Sequence, residues 1–303
     1  MMQGYAHPDY ARALAEYGTP RELPRCGGWL IERPVPGHPY KDAMGCYPLF
    51  CCHDWSGLKG DLDELAGELI CVHLVADPFG DYTPDVLRAC FPERMTTFKQ
   101  HYVLDLREPI ERAVRKQVRS CAKAALRQLQ VERCSDPLDH LDDWMRVYGA
   151  LIEKHGLRGI HAFSRASFQA QMNVPGLLMF RATDRGRTVG MLSWFLRGDV
   201  GYAHLMGIDP EGYQLGAAYA LLWSSAQYFA GRLRWLDIGG VPGDHHDHES
   251  GLALFKRGWS NTTRVSYFCG RILDKDAYET VASANGAETT GHFPAYRSGE
   301  FGL

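Results

Sequence analysis

Three side chains with chemistry to offer lie in the second half of this sequence. Lys256 stands in Gly251-Leu-Ala-Leu-Phe-Lys-Arg-Gly-Trp259, a brief helical run after a Gly- and His-rich stretch. An ammonium fixed there could hold the oxyanion formed when an amine attacks an ester or thioester, an effect of about 2.7–4 kcal/mol, or roughly 10²–10³ in rate. The same Lys-Arg-Gly run also reads as a solvated lysine at a helix end, where such residues cap carbonyls. Tyr202 and His204 share one face of a strand in Val200-Gly-Tyr-Ala-His-Leu-Met-Gly207. His204 could accept an amine proton near neutral pH, or be a hydrogen-bonded core histidine. Asp237, near the end of Arg-Trp-Leu-Asp-Ile, could orient an acceptor or Lys256, or bond loop amides.

Other groupings are less pointed. Arg112, Arg115, Lys116, Arg119, Lys123 and Arg127 fall opposite an apolar stripe of Ile110, Val114, Val118, Cys121, Ala125 and Leu129. Such a stripe suits a phosphate backbone or simply a solvated face. His245, His246 and His248, between Asp244 and Glu249, have metal-binding composition but stand too close together for one tetrahedral site. No metal is expected. Tyr40, Asp42 and Tyr47 lie in the proline-rich residues 33–48, either lining an acceptor pocket or packing as a surface loop. The nine cysteines contain no C-x-x-C pair and read as reduced thiols.

Periodicity and turn chemistry supply the scaffold for these residues. Short apolar runs at Leu49–His53, Glu68–Val75 and Gln100–Leu106 predict strands, with helices near 62–69 and 84–90 between them. Residues 33–48, rich in proline, predict loop. A helix is expected to begin at Pro109, where proline suits a first turn, and others over 138–154 and 165–171. Three strands come next at 177–183, 188–196 and 200–207, joined by Asp184-Arg185-Gly186 and Arg197-Gly198-Asp199 hairpin turns. Asp209-Pro-Glu-Gly212 breaks the chain before a nearly uncharged helix over 216–230, then come the strand ending at Ile238, the helix of Lys256 and a last strand from Thr263.

Length, 303 residues, suggests two domains, here 1–106 and 107–285, with a tail from 286 to 303. A formal net charge of −3 excludes coating of nucleic acid by overall basicity, so any such contact must be local. No apolar run approaches the ~20 residues of a membrane span. The N-terminus lacks a signal-peptide pattern, and a cytoplasmic location is expected.

From residue 131 the predicted order is strand, helix, helix, three antiparallel strands, helix, strand, helix, strand, which resembles a GNAT acyltransferase domain. Gly212–Phe229, Leu233–Gly243 and Gly251–Trp259 resemble the C-terminal domain of the FemAB-like peptidyltransferases, a likeness covering about residues 96–275 with a fainter echo at Tyr40–Pro48. The resemblance implies an α/β (α+β) fold of two GNAT-like domains, the first degenerate, with mixed, mostly antiparallel sheets flanked by helices. It implies a transferase that joins an acyl or aminoacyl group to a small-molecule or peptide amine, with no bound cofactor and aminoacyl-tRNA as co-substrate. Acyl-CoA or a carrier protein is the alternative donor. Phe255-Lys256 matches the family's Phe-Lys pair, whose lysine stabilises the developing charge. His204 then lies on the central strand beside the acceptor, and Arg115, Arg119 and Lys123 belong to a basic helix suited to charged tRNA. CoA-binding relatives carry (Gln/Arg)-x-x-Gly-x-(Gly/Ala) at a helix N-terminus. Here Tyr213-Gln214-Leu215-Gly216-Ala217-Ala218 keeps the Gly and Ala but has Tyr at the first position, a degraded cradle.

Overall fold

The computed structural model describes residues 3–241, 250–284 and 291–300. In chain order its first elements are α1 (Pro8–Ala13), β1 (Thr19–Leu23), β2 (Gly28–Pro34), β3 (Lys41–Gly45), α2 (Leu58–Glu64), β4 (Cys71–Ala76), α3 (Pro84–Cys90) and β5 (Arg94–Asp105). Next come α4 (Ile110–Ala113), α5 (Lys116–Ala125), β6 (Gln130–Arg133), α6 (Leu141–His155), α7 (Arg165–Met172), β7 (Leu177–Asp184), β8 (Arg187–Arg197) and β9 (Val200–Ile208). The last are α8 (Pro210–Leu215), α9 (Ala217–Phe229), β10 (Trp235–Asp237), α10 (Gly251–Trp259), β11 (Thr262–Ile272) and α11 (Lys275–Ala284). Two compact units emerge: residues 99–264, and residues 4–98 together with the described residues from 265 onward.

In the 99–264 unit the strands lie in the order β5-β10-β9-β8-β7-β6. All neighbours are antiparallel except β10 and β9, which are parallel. The β7–β8 hairpin turns on Arg185 and Gly186, both at positive φ (47° and 81°), the geometry that matches strand twist in two-residue turns. One apolar core gathers Leu104, Val118, Trp194, Leu221, Leu236 and Trp259, so α5, α9 and α10 cover one sheet face. Helix α6 crosses β9 and β8, and comes so close that a Cβ on Gly207 would stand 2.8 Å from the Tyr148 amide nitrogen. Trp144 and Tyr148 of α6 stack at 5.3 Å and both meet Phe168 of α7 edge-on.

The other unit orders its strands β1-β2-β3-β4-β11, with β3 parallel to β4 and the remaining pairs antiparallel. Phe50, Trp55, Leu62, Leu74 and Phe91 fill its larger core. Among the described residues no helix is long and apolar enough to cross a membrane.

Several local expectations change. Residues 33–48 are mostly connection, as expected, but they hold the end of β2 and all of β3, which pair through Arg33↔Asp42 and Pro34↔Lys41; the prolines at 36 and 39 occupy the turn, where no ladder N–H is needed. Leu49–His53 is not a strand; only Phe50 bridges, to Ala76, although Cys51 and Cys52 are buried. The helix beginning at Pro109 is broken, because Val114 and Arg115 are extended (ψ 136° and 143°) and the Arg115 amide donates to Gly258 O at 3.0 Å. The 209–212 breaker opens a helix of its own, α8, capped by the Asp209 carboxylate accepting from the Gly212 amide at 2.8 Å.

Asp42 illustrates what pairing on β3 does. Its carboxylate is fully buried and accepts from Arg297 Nε (2.6 Å), Arg297 Nη2 (3.0 Å) and Tyr296 Oη (2.9 Å), with Arg33 Nε at 3.4 Å. Asp42→Ala leaves two buried guanidiniums with Glu300 as their remaining carboxylate partner. Loss of about 3–5 kcal/mol is expected in urea unfolding; a loss under about 1 kcal/mol, the value of an exposed pair, would show that the fold does not depend on this cluster.

Candidate active site

Parallel pairing of β10 with β9 ends at Asp237↔Tyr202, although β9 runs on to Ile208. Past Asp237 the chain keeps to β5 instead. Ile238 N donates to Tyr102 O (2.9 Å), and Tyr102 N to Gly239 O (3.2 Å). The two parallel strands therefore part, and Gly239 and Gly240 border the parting.

Lys256 reaches this place from α10. Ser250 caps the helix by accepting from the Ala253 amide at 3.2 Å. Trp259 is fully buried, and Gly258 presses so close to Val118 that a Cβ would stand 2.4 Å from its Cγ2. Phe255 meets Tyr219 edge-on at 5.1 Å and extends the same apolar core. One residue on, Lys256 Nζ donates to Gly240 O at 2.5 Å. A Cβ on Gly239, which sits at φ +76°, would stand 3.3 Å from Nζ, so glycine serves both the backbone and the ammonium there. Burial brings Lys256 down to about 8; the Asp237 carboxylate opposes this and Lys99 adds to it. Lys99, also lowered by burial, runs alongside Gly240.

Asp237 is 2% exposed and held on two sides. Its Oδ1 accepts from the Gly239 amide at 2.7 Å, and His101 Nδ1 lies 2.8 Å from Oδ2 and 3.1 Å from Oδ1. His101, on β5, is a site residue that reading the sequence missed. Its only signal was alternation, which puts Lys99, His101 and Val103 on one strand face, Val103 being the Cα partner of Asp237. Tyr202 is buried next to Asp237 across the parallel pair. Lys256, Phe255, Asp237 and Tyr202 are thus brought together.

His204 is not placed as a proton acceptor. It is the extra residue where β8 and β9 shift register, Ala203 facing Trp194 and Leu205 facing Ser193. Its Nε2 lies 3.0 Å from Gln171 Oε1, and its ring packs 4.9 Å from Phe195. Burial lowers it to about 3, so it is neutral at working pH.

The segment expected to hold the donor forms α8 and its junction with α9. Tyr213 and Gln214 are exposed residues of α8, with Lys154 Nζ 3.8 Å from the Tyr213 ring centre. Gly216, at φ +74°, ends α8 and starts α9, whose first residue Ala217 is fully buried. The amides of Gly212, Tyr213 and Gly216 are already taken by Asp209 and Tyr213 oxygens. Tyr219, three residues on from Gly216, touches Phe255 and so links this junction to Lys256. On the basic segment, Arg119 folds back onto the Glu111 and Val114 carbonyls and closes α4, whereas Arg115 and Lys123 are exposed.

Tyr40, Asp42 and Tyr47 belong to the other unit. Asp42 is committed to its ion pairs. Tyr40 lies against the core that holds Val35 and Tyr278. The Tyr47 carbonyl accepts from Tyr10 Oη at 2.5 Å, and burial pushes its phenol up to about 12. The His245–His248 loop lies outside the described residues.

The His204 environment makes a pH prediction. Unfolding releases the imidazole from about 3 to its usual 6.5, so the fold holds its full stability above about pH 6.5 and loses it as pH falls toward 3, by at most about 1.4 kcal/mol per unit. His204→Gln should flatten the melting temperature over this window and leave the shape of the pH–rate profile unchanged. A shifted rate profile would restore His204 as a proton acceptor.

Residues 112–257 match the family model of the acetyltransferase (GNAT) domain. No curated protein matches the chain in sequence. Among solved structures, FemX superposes with a TM-score of 0.69 at 14% identity, covering 90% of this chain and 93% of FemX. The C-terminal domain of a putative lysylphosphatidylglycerol synthetase from Agrobacterium fabrum gives 0.61 at 12%, covering 94% and 91%. The L-PGS structure from Bacillus licheniformis gives 0.56 at 14%, covering 88% and 92%. Residues 112–257 therefore resemble a GNAT acetyltransferase domain, within a chain whose fold is similar to that of FemX.

Proposed function

We propose that this chain is an acyl- or aminoacyltransferase that forms an amide on an amine acceptor, with charged tRNA as donor. The observation that carries the reading is Lys256: a desolvated ammonium, anchored on Gly240 O, beside the parting of two parallel strands. An amine nitrogen attacks the carbonyl carbon of the donor ester, and negative charge gathers on the carbonyl oxygen. A nearby ammonium, poorly solvated and already positioned, stabilises that charge more than water would. Exchange of the Gly240 contact for the oxyanion is the step asked of it.

Three features favour charged tRNA over acyl-CoA. Tyr213 stands where CoA-binding relatives carry Gln or Arg, and the Gly216 amide is taken by the Tyr213 carbonyl at 3.3 Å. Arg112, Arg115, Lys116, Lys123 and Arg127 are exposed, giving a local basic face on a chain of negative net charge. The third is the likeness to FemAB-type proteins. A second reading, an N-acyltransferase using acyl-CoA, is favoured by the acetyltransferase description of the matched domain.

Turnover of an amine panel with charged tRNA and with CoA thioesters decides between the donors. Consumption of thioesters with charged tRNA ignored would sink the tRNA version. Lys256→Met should cost about 10²–10³ in kcat while melting no lower than wild type, since a desolvated charge is removed. In wild type the ammonium is lost as pH rises through about 8, so the rate should fall on that side. Lys256→Arg, slower but permanently charged, should lack that fall; an alkaline limb unchanged in Lys256→Arg would assign it to another group.

A further inference from the structure

We infer that His101 and Asp237 form the proton relay of this site, His101 Nε2 taking the proton of the attacking amine and Asp237 holding the imidazole in place. The inference rests on the amide-forming reading above and adds the residues that would manage its proton.

The geometry is specific. Asp237 lies where the pairing of β10 with β9 ends, and its carboxylate is too buried for water to satisfy it. One donor is the Gly239 amide; the other is His101 Nδ1, across a strand pair whose register is set by Asp237↔Val103. A carboxylate can only accept, so the Nδ1 atom carries the hydrogen, and it is Nε2 that can give up or take a proton. Nε2 makes no hydrogen bond among the described residues, and the side chain keeps 8% of its surface accessible. This is the arrangement of a base oriented by a carboxylate. His204 lacks it, with Nε2 committed to Gln171.

The groups around the relay come from each packed element. Asp237 is on β10, Lys99 two residues from His101 on β5, Lys256 on α10 and Tyr202 on β9, while His161, before α7, feels the Lys99 charge.

The step closes without a further reactant. The amine lone pair forms the C–N bond, the carbonyl electrons move to oxygen beside Lys256, and an N–H proton passes to His101 Nε2. As the intermediate collapses, the ester C–O bond breaks and the leaving oxygen takes the proton back, restoring the neutral imidazole. The acceptor class is an amine that carries a hydrogen on nitrogen and reaches the site uncharged.

The test compares full-length wild type, His101→Gln and Asp237→Asn with charged tRNA and a series of primary amines, after circular dichroism and melting show that each variant folds. Expected are a fall in kcat/KM of about 10²–10³-fold for His101→Gln, partial rescue by added imidazole, and, with kcat/KM expressed per uncharged amine, loss of the acid limb in His101→Gln. A low-field Nδ1 proton resonance should be present in wild type and absent in Asp237→Asn. Folded His101→Gln with wild-type kcat/KM and an unchanged acid limb overturns the relay while leaving the amide-forming reading standing. Wild type inert toward every donor and amine overturns the reading on which both depend.

Discussion

A carboxylate taken out of water must find donors within the protein, and much of the 99–264 unit is arranged around one that has done so. Asp237 closes the short strand β10, and its two sources of hydrogen bonds fix the path of the chain beyond it. The Gly239 amide turns the chain inward, and His101 ties it to β5. That turn places the Gly240 carbonyl where Lys256 can reach it. Strand β10 leaves β9 at this residue, so the carboxylate, the parting and the ammonium are consequences of one another.

Helix α10 is pinned from the opposite side. Trp259 is fully enclosed, Gly258 allows Val118 to touch the helix backbone, and Phe255 leans on Tyr219. Apolar packing of this kind is non-directional but dense, and it leaves Lys256 little choice of direction. The ammonium is consequently held where solvation is poor, at some expense in stability. Such local losses, offset by the surrounding core, are what a site tuned for chemistry rather than for maximal stability looks like.

Two buried carboxylates in this chain make a useful contrast. Asp42 receives a guanidinium through two nitrogens and a tyrosine hydroxyl, with a second guanidinium close by. Arg297 in turn also donates to Glu300 and to the Pro34 carbonyl, so the cluster closes on itself. Asp237 binds one backbone amide and one imidazole, and that imidazole retains a nitrogen without a hydrogen bond among the described residues. Both groups satisfy the cost of burial. Only the second does so through a group that can still exchange a proton.

Much of the 99–264 unit was legible in the residues themselves. Alternation marked β7, β8 and β9, the turn chemistry of Arg185-Gly186 placed their first hairpin, and the Phe255-Lys256 pair pointed to the end of β10. These signals are local, depending on side-chain period and on backbone angles that few residues adopt. Other features are decided across distance. Which of the proline-rich residues 33–48 become strand depends on β2 and β4 lying on either side of β3. Whether His204 is a base or a filler depends on Gln171 and Phe195, and whether Asp42 is open depends on Arg297. His101 and Asp237 are 136 positions apart, and neither has a neighbour in the chain that announces the other. Periodicity determines which face a residue occupies, whereas desolvation and partnership, which set its chemistry, exist only once distant strands have paired.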